Sequence, residues 1–342
     1  MGGRGQDMAQ APLSVAITGG AGFIGARLAT AILGGGSLSL AGAPSRPVTR
    51  LTLLDQIPPP AELSQDPRVA VWQSDLVTEL EGDGASPLRD ADLVFHLAAA
   101  VSGECERDFD LGMRANLAVT ERVLAACRHG ARMPVVVFSS SLAVFGGSST
   151  HPLPDVITDS TLPTPQTSYG IQKFIGEQLV ADYSRKGFIQ GRSVRLMTVS
   201  VRPGRPNAAA SGFLSGIIRE PLAGLPANSP VSPDTAVALS SPARAVAGLV
   251  RAAEAAPQQW GDPTAVNLPP VTVTVGEMVR ALERVAGPAV SALVGWEPDE
   301  AIASIVCGWP ARFSTARAAA LGLRADENFE AIVRAYIRDS AG

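Results

Sequence analysis

The sequence predicts an α/β fold, with a doubly wound parallel sheet followed by a small mixed C-terminal lobe. Segments typical of strands alternate with segments typical of helices over the first two thirds of the 342-residue chain. A glycine-rich turn joins the first predicted strand to the first predicted helix. From about residue 202 prolines become frequent and the regular alternation ends. These three observations define the fold class and a boundary within the chain.

The first strand, turn and helix together have the pattern of a dinucleotide-binding unit. Residues 13–17 are a short apolar run typical of a buried parallel strand, and residues 26–33 have a helical pattern. The turn between them has glycines at every third position. Gly19 permits the tight bend, Gly22 lets a pyrophosphate approach the helix N-terminus, and Gly25 lets the helix pack close to the strand. A purely structural turn uses the same residue type, so the flanking strand and helix favour the dinucleotide interpretation.

Further strands and helices follow in the order that a doubly wound sheet requires. The predicted strands cover residues 50–54, 69–73, 93–100, 134–138 and 193–201, and the predicted helices cover residues 111–128 and 167–186. Residues 34–48 form a connection rich in Gly, Ser and Pro. Asp55 ends the second strand, where a carboxylate accepts hydrogen bonds from the adenosine ribose and repels a 2′-phosphate. This favours NAD over NADP, although Asp55 could instead cap the following turn.

The C-terminal third is expected to form a separate lobe. Helical periodicity returns at residues 213–219, 242–256, 275–286, 298–306 and 327–337, and residues 264–268 are typical of a strand. We therefore divide the chain into a disordered tail at residues 1–11, a dinucleotide-binding domain at residues 12–201 and a mainly substrate-binding lobe at residues 202–342. Some segments of this lobe are expected to return to the sheet.

Tyr169 and Lys173 are the strongest candidates for catalysis. They are four residues apart on a predicted helix, so their side chains lie on one face, one turn apart. The pKa of a free phenol is about 10, which makes tyrosine a poor base at neutral pH. A neighbouring ammonium group and the charge of a bound cofactor favour the phenolate and lower that pKa. The chain has 3 tyrosines and 2 lysines, so a chance pairing on an ordinary amphipathic helix is the weaker interpretation.

Composition and charge argue against several classes of function. The net charge of −4 and the lack of a basic stripe make nucleic acid an unexpected partner. Cys105, Cys127 and Cys307 are scattered, and with 3 histidines they form no ligand pattern, so we expect neither a metal site nor a disulfide framework. The longest uncharged stretch is broken by serines, glycines and prolines. We therefore expect no membrane span and a cytoplasmic protein.

Five motifs together resemble the extended short-chain dehydrogenase/reductase family, of the NAD-dependent epimerase/dehydratase type. They are residues 18–25, Asp55, residues 96–100, residues 138–141, and Tyr169 with Lys173. The resemblance implies a Rossmann domain that binds NAD as cofactor, and a small substrate lobe. It also implies a catalytic set of Ser141, Tyr169 and Lys173, with Ser140 as the alternative serine if the strand register differs.

The same resemblance implies a set of cofactor contacts. They are Gly19, Gly22, Phe23, Ile24, Asp55, Asp75, Leu76, Leu97, Ala98, Ala99, Asn116, Tyr169, Lys173 and Met197. Asp75 and Leu76 follow the third strand, where the adenine ring would lie. Asn116 would support a water in a proton relay, or would only satisfy backbone groups. Family members form homodimers through two helices, which correspond to residues 111–128 and 169–186 here.

The sequence of the C-terminal lobe argues against nucleotide-sugars as substrates and favours a small sugar acid. Many extended members bind nucleotide-sugars through an Arg-Asp-aromatic segment and an acidic pair, and residues 235–246 contain neither. Four segments are instead similar to a narrower subgroup, the NAD-dependent dehydrogenases of the aldonate D-erythronate. They are residues 99–104, 109–112, 201–207 and 211–224. A small sugar acid needs a cationic partner for its carboxylate, and a bidentate arginine is the best one.

The candidates for that cation are Arg202, Arg205 and Arg219, in this order of preference, and each could instead be solvated or paired with a surface acid. Ser102, Glu104 and Ser141 are the expected contacts of the substrate hydroxyls. The resemblance thus implies NAD-dependent oxidation of a sugar acid, such as D-erythronate, to a 2-oxo acid, with Tyr169 as the base. Two alternatives stay open. One is a nucleotide-sugar epimerase or dehydratase with tightly bound NAD, and the other is a non-catalytic relative that only binds NAD(H).

Overall fold

A computed structural model of the protein describes residues 11–79, 86–204 and 209–340. Its strands, numbered in chain order, are β1 (Leu13–Thr18), β2 (Ser37–Leu38), β3 (Arg46–Asp55), β4 (Val69–Gln73), β5 (Leu93–His96), β6 (Val135–Ser141), β7 (Gln190–Leu196), β8 (Thr198–Val199), β9 (Ala227–Ser229), β10 (Ala236–Ser240), β11 (Val266–Asn267), β12 (Val271–Thr274) and β13 (Val294–Trp296). The central strands β1, β5 and β6 are almost wholly buried, as a sheet covered on both faces requires.

The helices pack on both faces of the sheet and build most of the lobe. They are α1 (Phe23–Gly35), α2 (Ala61–Ser64), α3 (Leu76–Glu79), α4 (Ser102–Arg107), α5 (Phe109–Gly112), α6 (Val119–Arg128), α7 (Ser168–Arg185), α8 (Phe213–Leu222), α9 (Pro242–Glu254), α10 (Pro257–Trp260), α11 (Val275–Ala286), α12 (Pro288–Ser291), α13 (Glu300–Val306), α14 (Ala316–Ala320) and α15 (Phe329–Ser340). Short 3-10 turns lie at Leu40–Gly42, Leu142–Val144 and Ala210–Gly212.

The main sheet confirms the predicted fold class. In the described part of the chain, seven parallel strands lie in the order β4-β3-β1-β5-β6-β7-β11, and β2 pairs antiparallel with β3. This is the doubly wound order, in which the connections reverse direction between β1 and β5. Ligands of this fold class bind outside the carboxyl ends of the strands at that point. β11 comes from the C-terminal third and returns to the sheet beside β7.

Three large hydrophobic cores hold these elements together. One packs α1 and α9 on one face of the sheet, and the second packs α6 and α7 on the other. The third core fills the lobe between α8, α11 and α15. Trp309 follows α13 and packs against both the first core and the core of the lobe. The lobe is therefore joined to the sheet domain by apolar packing near the carboxyl ends of the strands.

The structure differs from the predicted strands in several places, and β10 and β12 are among the strands that were not predicted. The single strand predicted over residues 193–201 is two strands, because β7 joins the main sheet and β8 pairs with β10 in a separate sheet with β12. A further pair, β9 and β13, was not predicted. These lobe strands have two to five residues each, too few to show an alternation of period two. The predicted connection over residues 34–48 contains β2 and the start of β3.

The helix predicted over residues 111–128 is interrupted by a π-helical turn, Met113–Ala118, between α5 and α6. Asn116 lies in this wider turn and makes its side-chain hydrogen bonds outside the helix. Its Oδ1 accepts from the Ala100 nitrogen at 2.8 Å, and its Nδ2 donates to Gln172 Oε1 at 2.8 Å. Such turns are frequent at functional sites. Hydrophobic periodicity does not distinguish them from ordinary α-helix, so the sequence could not predict this one.

Two further predictions concern an N-terminal tail and membrane-spanning helices. The predicted tail at residues 1–11 lies outside the described residues, except for residue 11. Among the residues that the structure describes, no helix combines the length and apolar character needed to cross a membrane.

The close approach of α7 to β6 is a testable feature of the fold. A Cβ on Gly176 would lie 2.6 Å from the Cζ atom of Phe138, whose ring is buried. We expect Gly176→Ala to lower the free energy of unfolding by about 1–3 kcal/mol, because the surrounding core leaves the ring no room to move. Urea unfolding followed by circular dichroism measures this change.

The matched control is Gly34→Ala in α1, where an added Cβ meets nothing within 4 Å. This substitution should leave the free energy of unfolding unchanged or raise it by up to about 1 kcal/mol, because alanine is the better helix former. Equal effects at the two glycines would contradict the tight packing of α7 on β6.

Candidate active site

Two cavities lie along the carboxyl ends of the strands and meet at the glycine turn. The first has a volume of about 300 Å³ and is lined by Tyr169 and Lys173. The second has a volume of about 450 Å³ and is lined by Asp55 and Asp75. The residues common to both walls are Gly19, Gly22, Leu97, Ala99 and Ala100. The two cavities therefore form neighbouring compartments at the place where this fold class binds dinucleotides.

The glycine turn packs so closely on the neighbouring backbone that it leaves no room for side chains. Gly19 has a φ of +72°, and a Cβ on it would lie 2.8 Å from the Ala98 nitrogen. A Cβ on Gly25 would overlap the carbonyl oxygen of Gly19. α1 begins directly after Gly22, and Phe23 and Ile24 in its first turn line the first cavity. The unpaired N–H groups and the positive end of the helix dipole favour an anion at this place.

The second cavity has carboxylates where an adenosine would be bound. Asp55 Oδ2 accepts from the Ala21 nitrogen at 2.9 Å, and its Oδ1 accepts from the Gln56 nitrogen at 2.7 Å. Asp55 therefore lines the cavity and also caps the following turn, as one of the two interpretations expected. Binding of the ribose stays a prediction. Asp75 Oδ2 accepts from Arg114 Nη2 at 2.5 Å. The other predicted cofactor contacts in this wall are Leu76, Leu97, Ala98 and Ala99.

The first cavity brings the three predicted catalytic residues together. Ser141 is the last residue of β6, while Tyr169 and Lys173 lie in the first two turns of α7. All three line the cavity, and Met197, which follows β7, completes the same wall. Thr167 caps α7 by accepting a hydrogen bond from the Gly170 nitrogen at 3.2 Å, which fixes where the helix begins.

The phenol of Tyr169 is a weak acid in this cavity. Burial raises the pKa of Tyr169 to about 12, while a hydrogen bond from Ser141 and the charge of Arg202 act to lower it. The Lys173 ammonium instead donates to the Ser139 carbonyl oxygen at 2.8 Å and lies 5.8 Å from the centre of the Tyr169 ring. Burial lowers the pKa of Lys173 to about 8. The structure thus differs from the prediction, because burial dominates and the opposing groups are Ser141 and Arg202 rather than Lys173.

The two candidate serines at the end of β6 have different partners. Ser140 is buried, and its Oγ donates to Glu177 Oε1 at 2.5 Å. Ser141 is less buried, and its side chain acts to lower the pKa of Tyr169. Successive side chains of a strand point to opposite faces, so only one of the two can face the phenol. Both serines line the first cavity, but the side chain that acts on Tyr169 is that of Ser141, while that of Ser140 is bound to Glu177.

Arg202 is the arginine that lines the first cavity in the described part of the chain. Burial lowers the pKa of Arg202, and the neighbouring Tyr169 acts to raise it. Arg219 supports Arg202 from behind, because its Nη1 donates to the Arg202 carbonyl oxygen at 2.7 Å. Arg219 also pairs with Glu220 at 2.5 Å. The third candidate, Arg205, lies outside the described residues.

The remaining predicted contacts are divided between the two cavities and the region behind them. Ser102 lines the first cavity, and its Oγ accepts from the Ala210 nitrogen at 3.1 Å. Glu104 lines the second cavity and is not brought together with Tyr169. Asn116 is buried behind the loop that follows β5 and holds the backbone of Ala100. This position agrees with one of the two interpretations from the sequence, in which Asn116 forms hydrogen bonds with backbone groups.

Comparison with known proteins gives the same assignment as the motifs. The family model described as "NAD dependent epimerase/dehydratase family" matches residues 15–233. The chain belongs to this family. Over 328 residues it is 49% identical to the D-erythronate dehydrogenase of Cupriavidus necator, which covers 96% of this chain and 99% of that protein. Over 325 residues it is 41% identical to the D-erythronate dehydrogenase of Haemophilus influenzae, with 95% and 99% covered.

A solved structure shows that the similarity extends over the whole fold of this chain. The crystal structure of the nucleoside-diphosphate-sugar epimerase from Agrobacterium tumefaciens has a TM-score of 0.86 and 41% sequence identity. The match covers 97% of this chain and 95% of that chain. The resemblance to the extended dehydrogenases that the sequence predicted is confirmed.

Several residues of the site were not predicted from the sequence. Among them, Ser211 and Trp309 line the first cavity, and Glu177 lies behind it. No sequence pattern indicated Trp309, because only the packing of the lobe brings it to the strand ends. A pattern could have indicated Glu177, since an acid four residues after a lysine on a helix lies beside that lysine, one turn later.

Proposed function

We propose that the protein oxidises a small sugar acid, such as D-erythronate, to a 2-oxo acid with NAD as the oxidant. The observation that carries this proposal is a single cavity lined by Ser141, Tyr169, Lys173 and the cation Arg202. A substrate hydroxyl can meet the phenol while an adjacent carboxylate meets the guanidinium. The two relatives named D-erythronate dehydrogenases, 49% and 41% identical over nearly the full chain, support the same activity.

The catalytic residues act on the substrate hydroxyl. Tyr169, as phenolate, accepts the hydroxyl proton, and Ser141 donates a hydrogen bond to the same oxygen and fixes its direction. Bound NAD would supply the hydride acceptor for the carbinol carbon. Lys173 lies one turn along the helix and would bind the nicotinamide ribose hydroxyls. Because the pKa of Tyr169 is about 12 without ligands, the active phenolate becomes more abundant as the pH rises.

The residues that would bind NAD lie along both cavities. The glycine turn would bind the pyrophosphate, and Met197 would lie beside the nicotinamide. In the second cavity Asp55 would accept from the ribose, and Asp75 with Leu76 would contact the adenine. The carboxylate of Asp55 disfavours a 2′-phosphate, so NAD rather than NADP is the proposed cofactor. We assign NAD binding mainly to residues 12–201 and substrate binding mainly to residues 202–342.

The substrate carboxylate is assigned to Arg202. A guanidinium that is partly removed from water binds a carboxylate more strongly than an exposed one does. Arg219 is already bound to the Arg202 carbonyl oxygen and to Glu220, so its role is to fix the loop. Ser102, at the first-cavity wall, would contact a substrate hydroxyl, while Arg205 remains a second candidate for the carboxylate.

The alternative activity is that of a nucleotide-sugar epimerase or dehydratase. It is favoured by the Agrobacterium tumefaciens structure, which is 41% identical to this chain and is described as a nucleoside-diphosphate-sugar epimerase. Residues 235–246, however, contain no acidic pair. We therefore prefer the sugar acid as substrate.

We further propose that the protein is a cytoplasmic homodimer. Phe109 and Leu111 on α5 are 60% and 41% exposed, and Ile171 and Ile175 on α7 are 45% and 36% exposed. α5 and α7 are in contact, so these side chains form an apolar surface on neighbouring helices. Exposed apolar patches of this kind mark interaction sites, and a second copy of the same chain is the occupant we propose.

The activity itself is the first prediction. We expect NADH to form, measured by its near-ultraviolet absorbance, when the protein is mixed with NAD and D-erythronate, with L-threonate and longer aldonates tested alongside. NADP should support a slower reaction, because of Asp55. Tyr169→Phe should lower kcat by about 10²-fold or more, since it removes the base, and should leave NAD binding nearly unchanged.

Turnover that survives unchanged in Tyr169→Phe would contradict the role of the phenol. If no aldonate supported NADH formation, while NAD bound and a nucleotide-sugar was converted, the alternative would replace the proposed function.

Arg202 should control both substrate affinity and the pH dependence of the reaction. We expect Arg202→Leu to raise KM for the aldonate by about 10- to 100-fold, through loss of a charge-assisted hydrogen bond. The cation lowers the pKa of Tyr169, so its removal raises that pKa and moves the rise of kcat/KM to higher pH. Steady-state kinetics between pH 6 and pH 10 would measure both changes.

The control is Arg185→Leu, which removes an arginine that is 66% exposed in a surface pair with Asp182. It should change neither KM nor the pH profile. An Arg202→Leu enzyme with an unaltered KM would place the carboxylate elsewhere.

The apolar surface on α5 and α7 predicts the oligomeric state. We expect the protein to sediment as a dimer and Ile171→Glu to sediment as a monomer, because a carboxylate would be buried without a partner in the interface. Analytical ultracentrifugation distinguishes the two. Ile337→Glu, at a side chain that is 38% exposed on α15, is the control and should remain dimeric. A dimer in both variants would exclude this surface as the interface.

A further inference from the structure

Glu177 is a buried carboxylate one turn beyond Lys173 on α7. Its side chain is 3% exposed, and that of its partner Arg195 on β7 is 6% exposed. The pair is bidentate, with Arg195 Nε 2.8 Å from Oε1 and Nη2 2.7 Å from Oε2. A buried ion pair loses much of its attraction to desolvation, and apolar residues of the same size often stabilise a fold as well. Stability alone is therefore a weak reason for this pair beside the catalytic residues.

The carboxylate also binds the strand that carries the catalytic serine. Ser140 Oγ donates to Glu177 Oε1 at 2.5 Å. The preceding residue, Ser139, accepts from Lys173 Nζ through its carbonyl oxygen at 2.8 Å. Two consecutive residues of β6 are thus bound to two residues of α7 that are one turn apart. Ser141 is the next residue of the strand, so these bonds fix its distance from the catalytic helix.

Glu177 is also the carboxylate that influences the charge of Lys173. Burial lowers the pKa of Lys173 to about 8, and Cys105 and Glu177 act to raise it. Burial raises the pKa of Cys105, so its side chain is an uncharged thiol at neutral pH. His96 is neutral too, because burial lowers its pKa to about 3. The other groups around the ammonium are the rings of Phe138 and Tyr169.

We propose that Glu177 is a positioning residue for the oxidation described above, an inference that rests on the proposed function. Through Ser140 it fixes the end of β6 against α7, and through its charge it keeps Lys173 an ammonium group. Glu177 lies behind the cavity wall and acts through Ser140 and Lys173. Loss of its charge should therefore change the protonation of Lys173 and slow turnover, with little effect on substrate affinity.

The composition of the chain allows a direct test. Lys173 and Lys186 are its two lysines, so protein labelled with 13Cε-lysine gives two signals to follow by NMR as the pH is changed. In Glu177→Gln we expect the titration of Lys173 to move down by about one pH unit, because a neighbouring negative charge is lost. The Lys186 signal, from an exposed residue, is the internal reference. Glu177→Asp keeps the charge and should restore the Lys173 titration towards that of the original protein.

Kinetics provide the second measurement. We expect kcat of Glu177→Gln to fall about ten-fold with KM changed less than about three-fold, since a small displacement of catalytic groups affects the chemical step. The matched control is Asp182→Asn, which neutralises a 54% exposed acid on the same helix and should change neither kcat nor the Lys173 titration. An unchanged Lys173 titration in folded Glu177→Gln would overturn the proposal.

A second variant decides the matter if Glu177→Gln does not fold. Ser140→Ala removes one hydroxyl and leaves both buried charges in place. A fall in kcat of about five-fold, with an unchanged near-ultraviolet circular dichroism spectrum, supports the proposal, and an unchanged kcat overturns it. The lysine titration requires no substrate. Absence of turnover with every aldonate would therefore overturn the proposed function, and the effect of Glu177 on Lys173 would still be measurable.

Discussion

The arrangement of the site depends on how closely the catalytic helix α7 lies against the end of β6. Two glycines permit this contact. A Cβ on Gly170 would overlap the carbonyl oxygen of Ala143, and Gly176 lies against the ring of Phe138. The helix can therefore approach the strand until the Lys173 ammonium reaches the Ser139 carbonyl oxygen and Tyr169 meets Ser141. A larger separation would leave the lysine charge and several buried polar groups without partners, which costs far more than the loss of a surface contact.

The same contact creates an electrostatic problem that the surrounding residues reduce. Burial disfavours both the phenolate of Tyr169 and the ammonium of Lys173, so neither group has its useful charge without help. Arg202 favours the phenolate from the wall of the first cavity, and Glu177 favours the ammonium from one turn further along α7. In the proposed function, the substrate carboxylate would pair with the same Arg202 that acts to lower the pKa of Tyr169. One side chain would then serve both substrate recognition and activation of the base.

The sequence predicted the sheet domain well and the lobe less well, for physical reasons. Strands buried on both faces have continuous apolar runs that are easily recognised, and the turn around Gly19 has a steric requirement that few residues meet. The lobe strands β8 and β10 are short, and they form only because tertiary packing selects their pairing. The π-helical turn at Asn116 has the composition of ordinary helix. The pKa of Tyr169 could not be predicted from spacing to Lys173, because it depends on burial and on Arg202, which is distant in the sequence.

Trp309 has a consequence for the order in which the protein becomes functional during synthesis. The glycine turn and the catalytic helix α7 leave the ribosome long before this tryptophan, which closes the wall of the first cavity and packs on both cores. β11, at the edge of the main sheet, also comes late in the chain. Since domains tend to fold as they emerge, the nascent sheet domain can complete its dinucleotide turn early. The wall of its first cavity is complete only after Trp309 has been made.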